Sequence, residues 1–364
     1  MKLLTLVFEY FSIKILNMKY LLLIILVSIL TLQSNAQQLN VIAGPSTLKY
    51  GELGNFKLQS GQEIINCKLG YRVFGALNKQ KTNAILFPTW FQGTTKQIIT
   101  WVPGLFKTID TNKFCLILVD AFGDGISSSP SNSKDQHGNL FPKFTVKDMV
   151  ESEHFLLTSV LGIQKLDAVI GISMGGMQAF QWSINYPNFM NKIISVVGTP
   201  QLYSDDLIGL NILSAIIESD KDFKMGNNSN ISTASMFLEY MLTTAEDKTK
   251  TISRDSFFLW KKNIEQQKPG DWNNFYLQLN AWKQIDIANE YNGSLKIASE
   301  KTKAKFLIIV NEQDRLVNPL SSIDFANYVN AKLIKLNDES GHTACFKLWD
   351  SPLISENIIH FLNN

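Results

Sequence analysis

The stretch Gly171–Met177, G-I-S-M-G-G-M, decides how the rest of the sequence is interpreted. Its first five residues fit the pattern G-x-S-x-G, which a random chain of this length contains in roughly one case in ten. The apolar run D-A-V-I-G ends at Gly171, and the helix-like stretch M-Q-A-F-Q-W-S-I-N-Y begins at Met177. A strand, a tight turn and a helix in this order predict that Ser173 is presented at a sharp turn as a nucleophile.

Two glycines flank the serine where such a turn is most crowded. Gly171 and Gly175 have no Cβ atom, which relieves the crowding around the strained serine backbone. The helix after the turn directs its free N–H groups at the chemistry. An oxyanion site needs backbone N–H donors that are set in advance, and Met174, the residue after the serine, is the first candidate.

Short apolar runs alternate with helix-like stretches along most of the chain. The runs are rich in Val and Ile and mostly lack alternation, which is typical of strands buried on both faces of a parallel sheet. Antiparallel strands are predicted within 56–75. This order predicts an α/β fold, a mostly parallel sheet covered by helices. The runs are 83–88, 114–120, 166–171, 192–198, 305–310 and 331–336, and the helix candidates are 146–161, 174–185, 319–329 and 352–362.

Residues 201–300 interrupt this alternation. They contain no clear strand-like run, an Asn/Ser-rich stretch at 226–232 and several helical segments. An insertion of this size between two core strands predicts a helical lid before the strand that carries the catalytic acid, with a separate domain as the alternative. The core then comprises 37–200 and 301–364.

A serine hydroxyl needs a general base, and the chain has only four histidines. His342 lies in the loop S-G-H-T just past the last strand-like run, where an α/β sheet gathers its catalytic groups. The other three are placed less well: His137 lies in a polar loop, and His154 and His360 lie in helix-like segments. The sequence therefore favours His342 as the base.

The base needs an orienting carboxylate, and the oxyanion needs a second N–H donor. Asp314 follows the run F-L-I-I-V and is the predicted acid, with Glu312 as the alternative. The order Ser173, Asp314, His342 is that of α/β-hydrolase triads. The loop after an early strand, F-P-T-W-F-Q-G-T-T, predicts the backbone N–H of Trp90 as the second donor, with that of Phe91 as the alternative.

Four segments together resemble the homoserine O-acetyltransferase family of α/β hydrolases. They are F-P-T-W-F-Q-G-T-T (87–95), D-A-F-G-D-G-I-S-S-S-P-S (120–131), G-I-S-M-G-G-M-Q (171–178) and S-G-H-T-A-C-F (340–346). The third is the most specific, because plain esterases seldom carry M-G-G-M-Q. The resemblance implies an α/β-hydrolase fold, acyl transfer through an acyl-serine, a helical lid and a Ser–Asp–His triad on Ser173, Asp314 and His342.

Two departures from the family pattern bear on the acyl acceptor. P-T-W-F-Q-G stands at 88–93 instead of H-A-L-T-G-like residues. The family's arginine in the first lid helix, which binds the carboxylate of the amino-acid acceptor, falls on Ala215 in the stretch L-N-I-L-S-A. An amino-acid acceptor would lose a charge-assisted contact worth about 1.5–3 kcal/mol. Water is therefore the predicted acceptor.

The N-terminus predicts export. A short segment with a positive charge, Met18-Lys19-Tyr20, precedes an apolar run of twelve residues, 21–32. Small residues that are typical of a cleavage site follow and end at Ala36. This pattern is typical of a signal peptide, here assigned to 1–36 with Met18 as the suggested true start, and the run is short for a membrane span. Acyl-CoA and homoserine are cytoplasmic metabolites, so an exported enzyme, periplasmic or secreted, again favours hydrolysis.

Composition argues against a disordered chain, a nucleic-acid-binding protein and a scaffold held by disulfides or zinc. The 364 residues are 45% hydrophobic and 18% charged, which is enough for a large core, and a net charge of +2 without a basic run does not indicate a nucleic-acid partner. Three cysteines form neither a disulfide framework nor a metal-ligand pattern, so a structural zinc is not expected. The serine mechanism itself needs no metal and no organic cofactor.

We therefore predict a serine hydrolase that cleaves a small acyl ester through an acyl-serine intermediate. The alternatives are an O-acyltransferase that moves an acyl group from acyl-CoA to an alcohol and a catalytically inactive binding protein. The mature form is expected to have no stable membrane span, and a homodimer is the assembly considered.

Overall fold

The computed structural model describes residues 46–227, 230–266 and 270–364. The predicted signal peptide and the suggested start at Met18 lie outside the described residues. Eight strands form one sheet in the order β1-β2-β4-β3-β5-β6-β7-β8. They are β1 Lys49–Lys57, β2 Glu63–Phe74, β3 Ala84–Pro88, β4 Cys115–Val119, β5 Leu166–Ile172, β6 Met190–Val196, β7 Lys305–Asn311 and β8 Lys332–Leu336.

The sheet is antiparallel at one edge and parallel elsewhere. β1 pairs antiparallel with β2, and β2 pairs antiparallel with β4. The strands from β4 to β8 pair parallel in the order given. Each predicted apolar run is a strand whose ends differ from the prediction by at most two residues. The predicted mostly parallel α/β sheet is confirmed.

The parallel strands are buried on both faces, as their unalternating sequences predict. Every residue of β3 and β4 is buried. Successive side chains of a strand point to opposite faces. In β3, Leu86 accordingly belongs to one hydrophobic cluster, while Ile85 and Phe87 belong to the other. The sheet thus separates two cores, and helices cover both.

The helices confirm the predicted alternation with small differences at their ends. The predicted helix 146–161 begins as an α-helix at Val146, where Thr145 and Asp148 form a capping box. It continues as a π-helix over Leu156–Val160, a wider turn that the periodicity does not reveal. The helices outside 201–300 are α1 Thr95–Trp101, α2 Leu105–Thr108, α3 Val146–Phe155, α4 Met174–Asn185, α12 Leu320–Tyr328, α13 Ala344–Lys347 and α14 Pro352–Asn363.

The segment between β6 and β7, called the insertion below, is helical in its described part. Its only β pairing there is one isolated bridge, Gln201 with Asp286. Residues 47–364, the insertion included, form one compact unit. The insertion helices are α5 Ser204–Ser219, α6 Lys221–Lys224, α7 Ser232–Leu242, α8 Ala245–Thr251, α9 Phe257–Gln266, α10 Trp272–Lys283 and α11 Leu295–Ser299.

The three cysteines are free and buried. Burial raises the pKa of Cys67 to about 12 and that of Cys115 to about 11. Both thiols therefore act as small apolar side chains in the core.

Candidate active site

Ser173 lies at a sharp turn between β5 and α4. β5 ends at Ile172 and α4 begins at Met174, so the serine is the single residue between them. Its φ of 55° and ψ of −122° are a conformation that non-glycine residues rarely adopt. The backbone N–H of Ser173 donates to the carbonyl of Val196 on the neighbouring strand at 2.9 Å, and this bond holds the turn against the sheet.

The flanking glycines are required by space. A Cβ atom on Gly171 would lie 2.0 Å from the carbonyl oxygen of Gly175, and one on Gly175 would lie 2.6 Å from that of Pro88. Both contacts are with backbone atoms and are closer than real Cβ atoms approach, so the turn tolerates only glycine at these two positions. A Cβ atom on Gly176 would lie 2.6 Å from the side-chain Oγ of Ser195 and 3.1 Å from Cα of Gly198.

The three predicted triad residues meet in a buried chain of hydrogen bonds. Nε2 of His342 lies 2.9 Å from Oγ of Ser173, and Nδ1 of His342 lies 2.6 Å from Oδ2 of Asp314. All three side chains are buried. The imidazole therefore bridges a hydroxyl and a carboxylate, the arrangement that lets a histidine take a proton from a serine while a carboxylate holds its tautomer.

Asp314 is fixed by its own loop. β7 ends at Asn311, and Oδ1 of Asp314 accepts hydrogen bonds from the backbone N–H groups of Leu316 at 2.9 Å and Val317 at 3.0 Å. These bonds occupy one oxygen and leave Oδ2 for the histidine. The alternative acid, Glu312, is largely exposed and pairs with Lys335 at 3.0 Å. It is therefore not the carboxylate that contacts the histidine.

His342 lies in a 3₁₀-helix, Gly341–Thr343, that follows β8. Asn311, the last residue of β7, was not predicted to matter, yet it holds this loop. Its Nδ2 donates to the carbonyl oxygens of Asp338 at 2.8 Å and Gly341 at 2.7 Å, and its Oδ1 accepts from the N–H of Asp338 at 3.0 Å. The signal available in the sequence is a polar residue that directly follows the run F-L-I-I-V.

The other histidines have different surroundings. His154 stacks on Tyr186 with ring centroids 3.8 Å apart, and burial lowers its pKa. His360 lies in α14, where Nδ1 contacts the side-chain amide of Asn364. His137 precedes a 3₁₀-helix at Gly138–Leu140. Of the four histidines, His342 is the one that contacts Ser173.

The two predicted oxyanion donors lie on segments that one glutamine joins. Nε2 of Gln178 donates to the carbonyl oxygens of Thr89 at 3.0 Å and Met174 at 3.3 Å. In the described part of the chain, no acceptor hydrogen-bonds to the backbone N–H of Met174 or Trp90. Their role as oxyanion donors stays a prediction. Gln178 was not predicted as a site residue, although it ends the quoted motif M-G-G-M-Q.

Aromatic side chains surround the second of these segments. The indole of Trp90 is buried against Trp101 and Phe346. The ring of the next residue, Phe91, packs on Phe275 and Trp282 of α10, with centroids 4.8 and 5.3 Å apart. The predicted oxyanion loop is therefore packed between the core and the insertion.

Ala215 lies in α5, the first insertion helix, but not on the face of that helix that packs inward. It is exposed, on the same face of α5 as Ile208 and Ile212. An arginine at this position would extend into solvent, so the expectation drawn from Ala215 is wrong about the position. The face of α5 that packs inward carries no cation, since its buried residues are Asp206, Leu210, Leu213, Ser214 and Ile217.

Cys345 lies one turn after the histidine. Its Sγ lies 3.1 Å from the carbonyl oxygen of His342, and burial raises the pKa of its thiol well above the usual value.

The described residues contain no group of three or more His, Cys, Asp or Glu side chains placed to hold a metal ion. None of the helices in the described ranges is both long and apolar enough to span a bilayer.

Comparisons with known proteins identify the fold family and two groups of similar enzymes. A family profile described as the alpha/beta hydrolase fold matches residues 85–347. The chain is 29% identical over 309 residues to an ethyl acetate hydrolase of Pseudomonas veronii, covering 81% of this chain and 88% of the relative. It is 30% identical over 322 residues to a homoserine O-acetyltransferase of Methanocorpusculum labreanum, covering 77% of this chain and 65% of the relative.

A solved structure shows the same fold at lower identity. The homoserine O-acetyltransferase of Bacillus anthracis superposes with a TM-score of 0.81 at 22% identity, covering 88% of this chain and 99% of that chain. The matched profile spans well over half of the present sequence and includes the turn at Ser173, the Asp314 loop and His342. The chain therefore belongs to the α/β hydrolase fold family, and it is similar both to esterases and to homoserine O-acyltransferases within it.

Proposed function

We propose that this protein hydrolyses small acyl esters through an acyl-serine intermediate. The observation that carries the proposal is the hydrogen-bond chain from Ser173 through His342 to Asp314. A hydroxyl at a strained turn, in contact with a histidine that a carboxylate orients, is the arrangement of a serine nucleophile with its base. The ethyl acetate hydrolase of Pseudomonas veronii supports an ester with a short acyl group as the substrate class.

The reaction proceeds in two halves. Nε2 of His342 takes the proton of Ser173 as Oγ attacks the ester carbonyl, and the backbone N–H groups of Met174 and Trp90 donate to the oxyanion. The tetrahedral intermediate collapses, the C–O bond to the alcohol breaks, and the imidazolium protonates the leaving oxygen. Water then attacks the acyl carbon with His342 again as the base, the bond between that carbon and Oγ of Ser173 breaks, and the imidazolium returns the proton to Oγ as the acid leaves. Asp314 holds the imidazole tautomer and stabilises the imidazolium throughout.

Acyl transfer to an alcohol is the second candidate, and the similarity to homoserine O-acetyltransferases favours it. The acyl-serine is the same in both reactions, and only the acceptor differs. The inward face of α5 presents Leu210, Leu213 and Ser214 and no cation. An amino-acid acceptor would therefore find no guanidinium clamp for its carboxylate on this helix, which supports water as the acceptor.

We extend the proposal to the role of the insertion, the cellular location of the protein and its oligomeric state. We propose that the insertion helices act as a lid, because Phe275 and Trp282 of α10 pack on Phe91 beside the oxyanion loop. We also propose export to the periplasm or the medium, because a short apolar run precedes the small-residue exit at Ala36. N-terminal sequencing of the mature protein would test the predicted cleavage site. We also propose that the protein forms a homodimer, which size-exclusion chromatography would test.

A kinetic comparison tests the proposed reaction. Purified protein is offered p-nitrophenyl esters of increasing acyl length, and separately acetyl-CoA with and without homoserine. We expect fastest hydrolysis with the shortest esters and no homoserine-dependent loss of acetyl-CoA. Efficient homoserine acetylation would replace hydrolysis by acyl transfer. A fluorophosphonate probe that fails to label the folded protein would end both enzyme proposals and leave a binding protein.

A further inference from the structure

We propose that Asp206 is a positioning residue for Asp314, so that the insertion supports the catalytic acid as well as covering the site. The inference rests on the proposed role of Asp314 as the carboxylate that orients His342. It concerns a residue of the insertion, 108 positions before the acid, that does not itself contact the triad histidine or serine.

The contacts of Asp206 connect the insertion to the acid-bearing loop. Asp206 is the third residue of α5 and is 5% exposed. Its Oδ2 accepts from the backbone N–H of Tyr203 at 2.8 Å, which caps the helix. Its Oδ1 accepts from the backbone N–H of Asn318 at 2.7 Å. One side chain thus binds the start of the first insertion helix and a residue four positions after the acid.

The loop after the acid is held by two carboxylates in succession. Oδ1 of Asp314 accepts from the N–H groups of Leu316 and Val317, and Oδ1 of Asp206 accepts from the next N–H, that of Asn318. Three consecutive N–H groups are therefore bound by carboxylate oxygens. Without Asp206 the third group is released, and the loop that orients the carboxylate of Asp314 gains freedom.

Asp206 carries an electrostatic cost in the folded protein. Burial raises the pKa of Asp206 to about 6; the N–H groups of Asn318 and Tyr203 oppose the rise, and the charges of Asp205 and Asp314 add to it. The ionised carboxylate is therefore less favourable in the folded protein than in the unfolded chain. Its hydrogen bonds from Tyr203 and Asn318 offset part of this cost.

The test compares Asp206→Asn with Asp205→Asn in otherwise unchanged full-length protein. Asp205 is exposed in the same helical turn, so Asp205→Asn removes one negative charge but leaves the hydrogen bond between Asp206 and Asn318 intact. Asn has one acceptor oxygen and a donating amide group, so Asp206→Asn cannot accept from both Tyr203 and Asn318 as the carboxylate does. We expect it to lower kcat for p-nitrophenyl acetate about tenfold with little change in KM, because a displaced catalytic group costs rate. Asp205→Asn should stay within about twofold of the unmodified protein.

A double-mutant cycle separates this role from a general loss of stability. If Asp206 acts through Asp314, Asp206→Asn should change the activity of Asp314→Asn by less than about twofold. Asp206→Glu keeps a carboxylate able to cap α5 but moves its second oxygen away from Asn318. We expect it to lose kcat like Asp206→Asn, with a Tm close to that of the unmodified protein.

Each remaining outcome overturns one proposal. Full activity of Asp206→Asn would assign Asp206 to the fold alone. The same conclusion would follow if the activity losses of Asp206→Asn and Asp314→Asn were additive in the cycle. It would also follow if both Asp206 variants lost activity only together with a lowered Tm. Unchanged activity of Asp314→Asn would instead remove the proposed triad, and with it the reaction mechanism on which this inference rests.

Discussion

Oγ of Ser173 lies 2.9 Å from Nε2 of His342, although 169 positions separate the two residues in the chain. The serine follows β5 and the histidine follows β8, so both lie beyond the carboxyl ends of parallel strands in one sheet. That edge is where open α/β sheets assemble their sites. This hydrogen bond couples the nucleophile to its base, so a substitution of either residue should impair the same step of the reaction.

Removing the nucleophile should abolish turnover without harming the fold. We expect Ser173→Ala to lower kcat for p-nitrophenyl acetate by at least about 10³-fold and to abolish fluorophosphonate labelling. Its Tm should change little, because Ala keeps the Cβ atom and the backbone conformation of the turn and only one side-chain hydrogen bond is lost. Ser183→Ala is the control, since Ser183 is buried in α4, the helix that follows Ser173, and its hydroxyl donates to the carbonyl oxygen of Phe180. Labelling of Ser173→Ala at the normal rate would assign the nucleophile elsewhere.

The two candidate acids should differ sharply. Asp314→Asn leaves the shape of the site but removes the charge 2.6 Å from Nδ1 of His342, so we expect kcat to fall about 10³- to 10⁴-fold. Glu312→Gln breaks only an exposed pair with Lys335 and should leave kcat within about twofold. Steady-state kinetics on both variants measure the difference. Equal losses would show that the contact with Nδ1 is not what matters.

The turn at Ser173 should not accept a methyl group on its first glycine. A Cβ atom at Gly171 would lie 2.0 Å from a backbone oxygen, so Gly171→Ala should destabilise the protein by about 3 kcal/mol or prevent folding. Gly270→Ala is the matched control, because no atom lies within 4 Å of its added Cβ. Urea denaturation of both variants tests this. A Gly171→Ala protein as stable as the control would contradict the observed packing.

Glu153 should make the stability of the protein depend on pH. It is buried, Oε2 accepts from Nε1 of Trp182 at 2.7 Å, and burial raises its pKa to about 8. Because the folded pKa exceeds the unfolded one, the stability that this group contributes is lost as pH rises from about 5 to about 8. The slope is at most about 1.4 kcal/mol per pH unit. Glu153→Gln keeps an acceptor for Trp182 and should flatten the curve; an unchanged slope in denaturant titrations at pH 5 to 8 would contradict this.

Residues that follow strand ends could be predicted because their placement depends on local pattern. The run 166–171 and the helix-like stretch after it indicated a strand and a helix, and a turn between them needs glycine at Gly171 and Gly175. The same reasoning placed Asp314 and His342 beyond strand ends. The π-helix at Leu156–Val160 escaped prediction, because a periodicity of apolar residues does not distinguish one wide turn within a helix.

Contacts between distant segments could not be predicted in the same way. Ala215 illustrates this, because a sequence register suggested an arginine-binding position, whereas the packing of α5 leaves that residue exposed. Asn311 and Gln178 each bind a distant segment through a side-chain amide, Asn311 the loop at Asp338 and Gly341 and Gln178 the carbonyl oxygen of Thr89. Nothing in their neighbours along the chain reveals those partners. Such contacts depend on how helices and strands pack, which no short window of sequence contains.

Local pattern was therefore sufficient for the α/β class, the turn at Ser173 and the short set of candidates for base and acid. Strands, helices and turns form from preferences of neighbouring residues, and these are written in any short stretch of the chain. The sequence already favoured Asp314 over Glu312, and the folded protein shows that Asp314 contacts His342. The hydrogen bonds by which Asn311 holds the His342 loop, and the hydrogen bond from Asn318 to Asp206, required the folded protein. Both depend on the relative positions of separate strands and helices, and tertiary packing alone sets those positions.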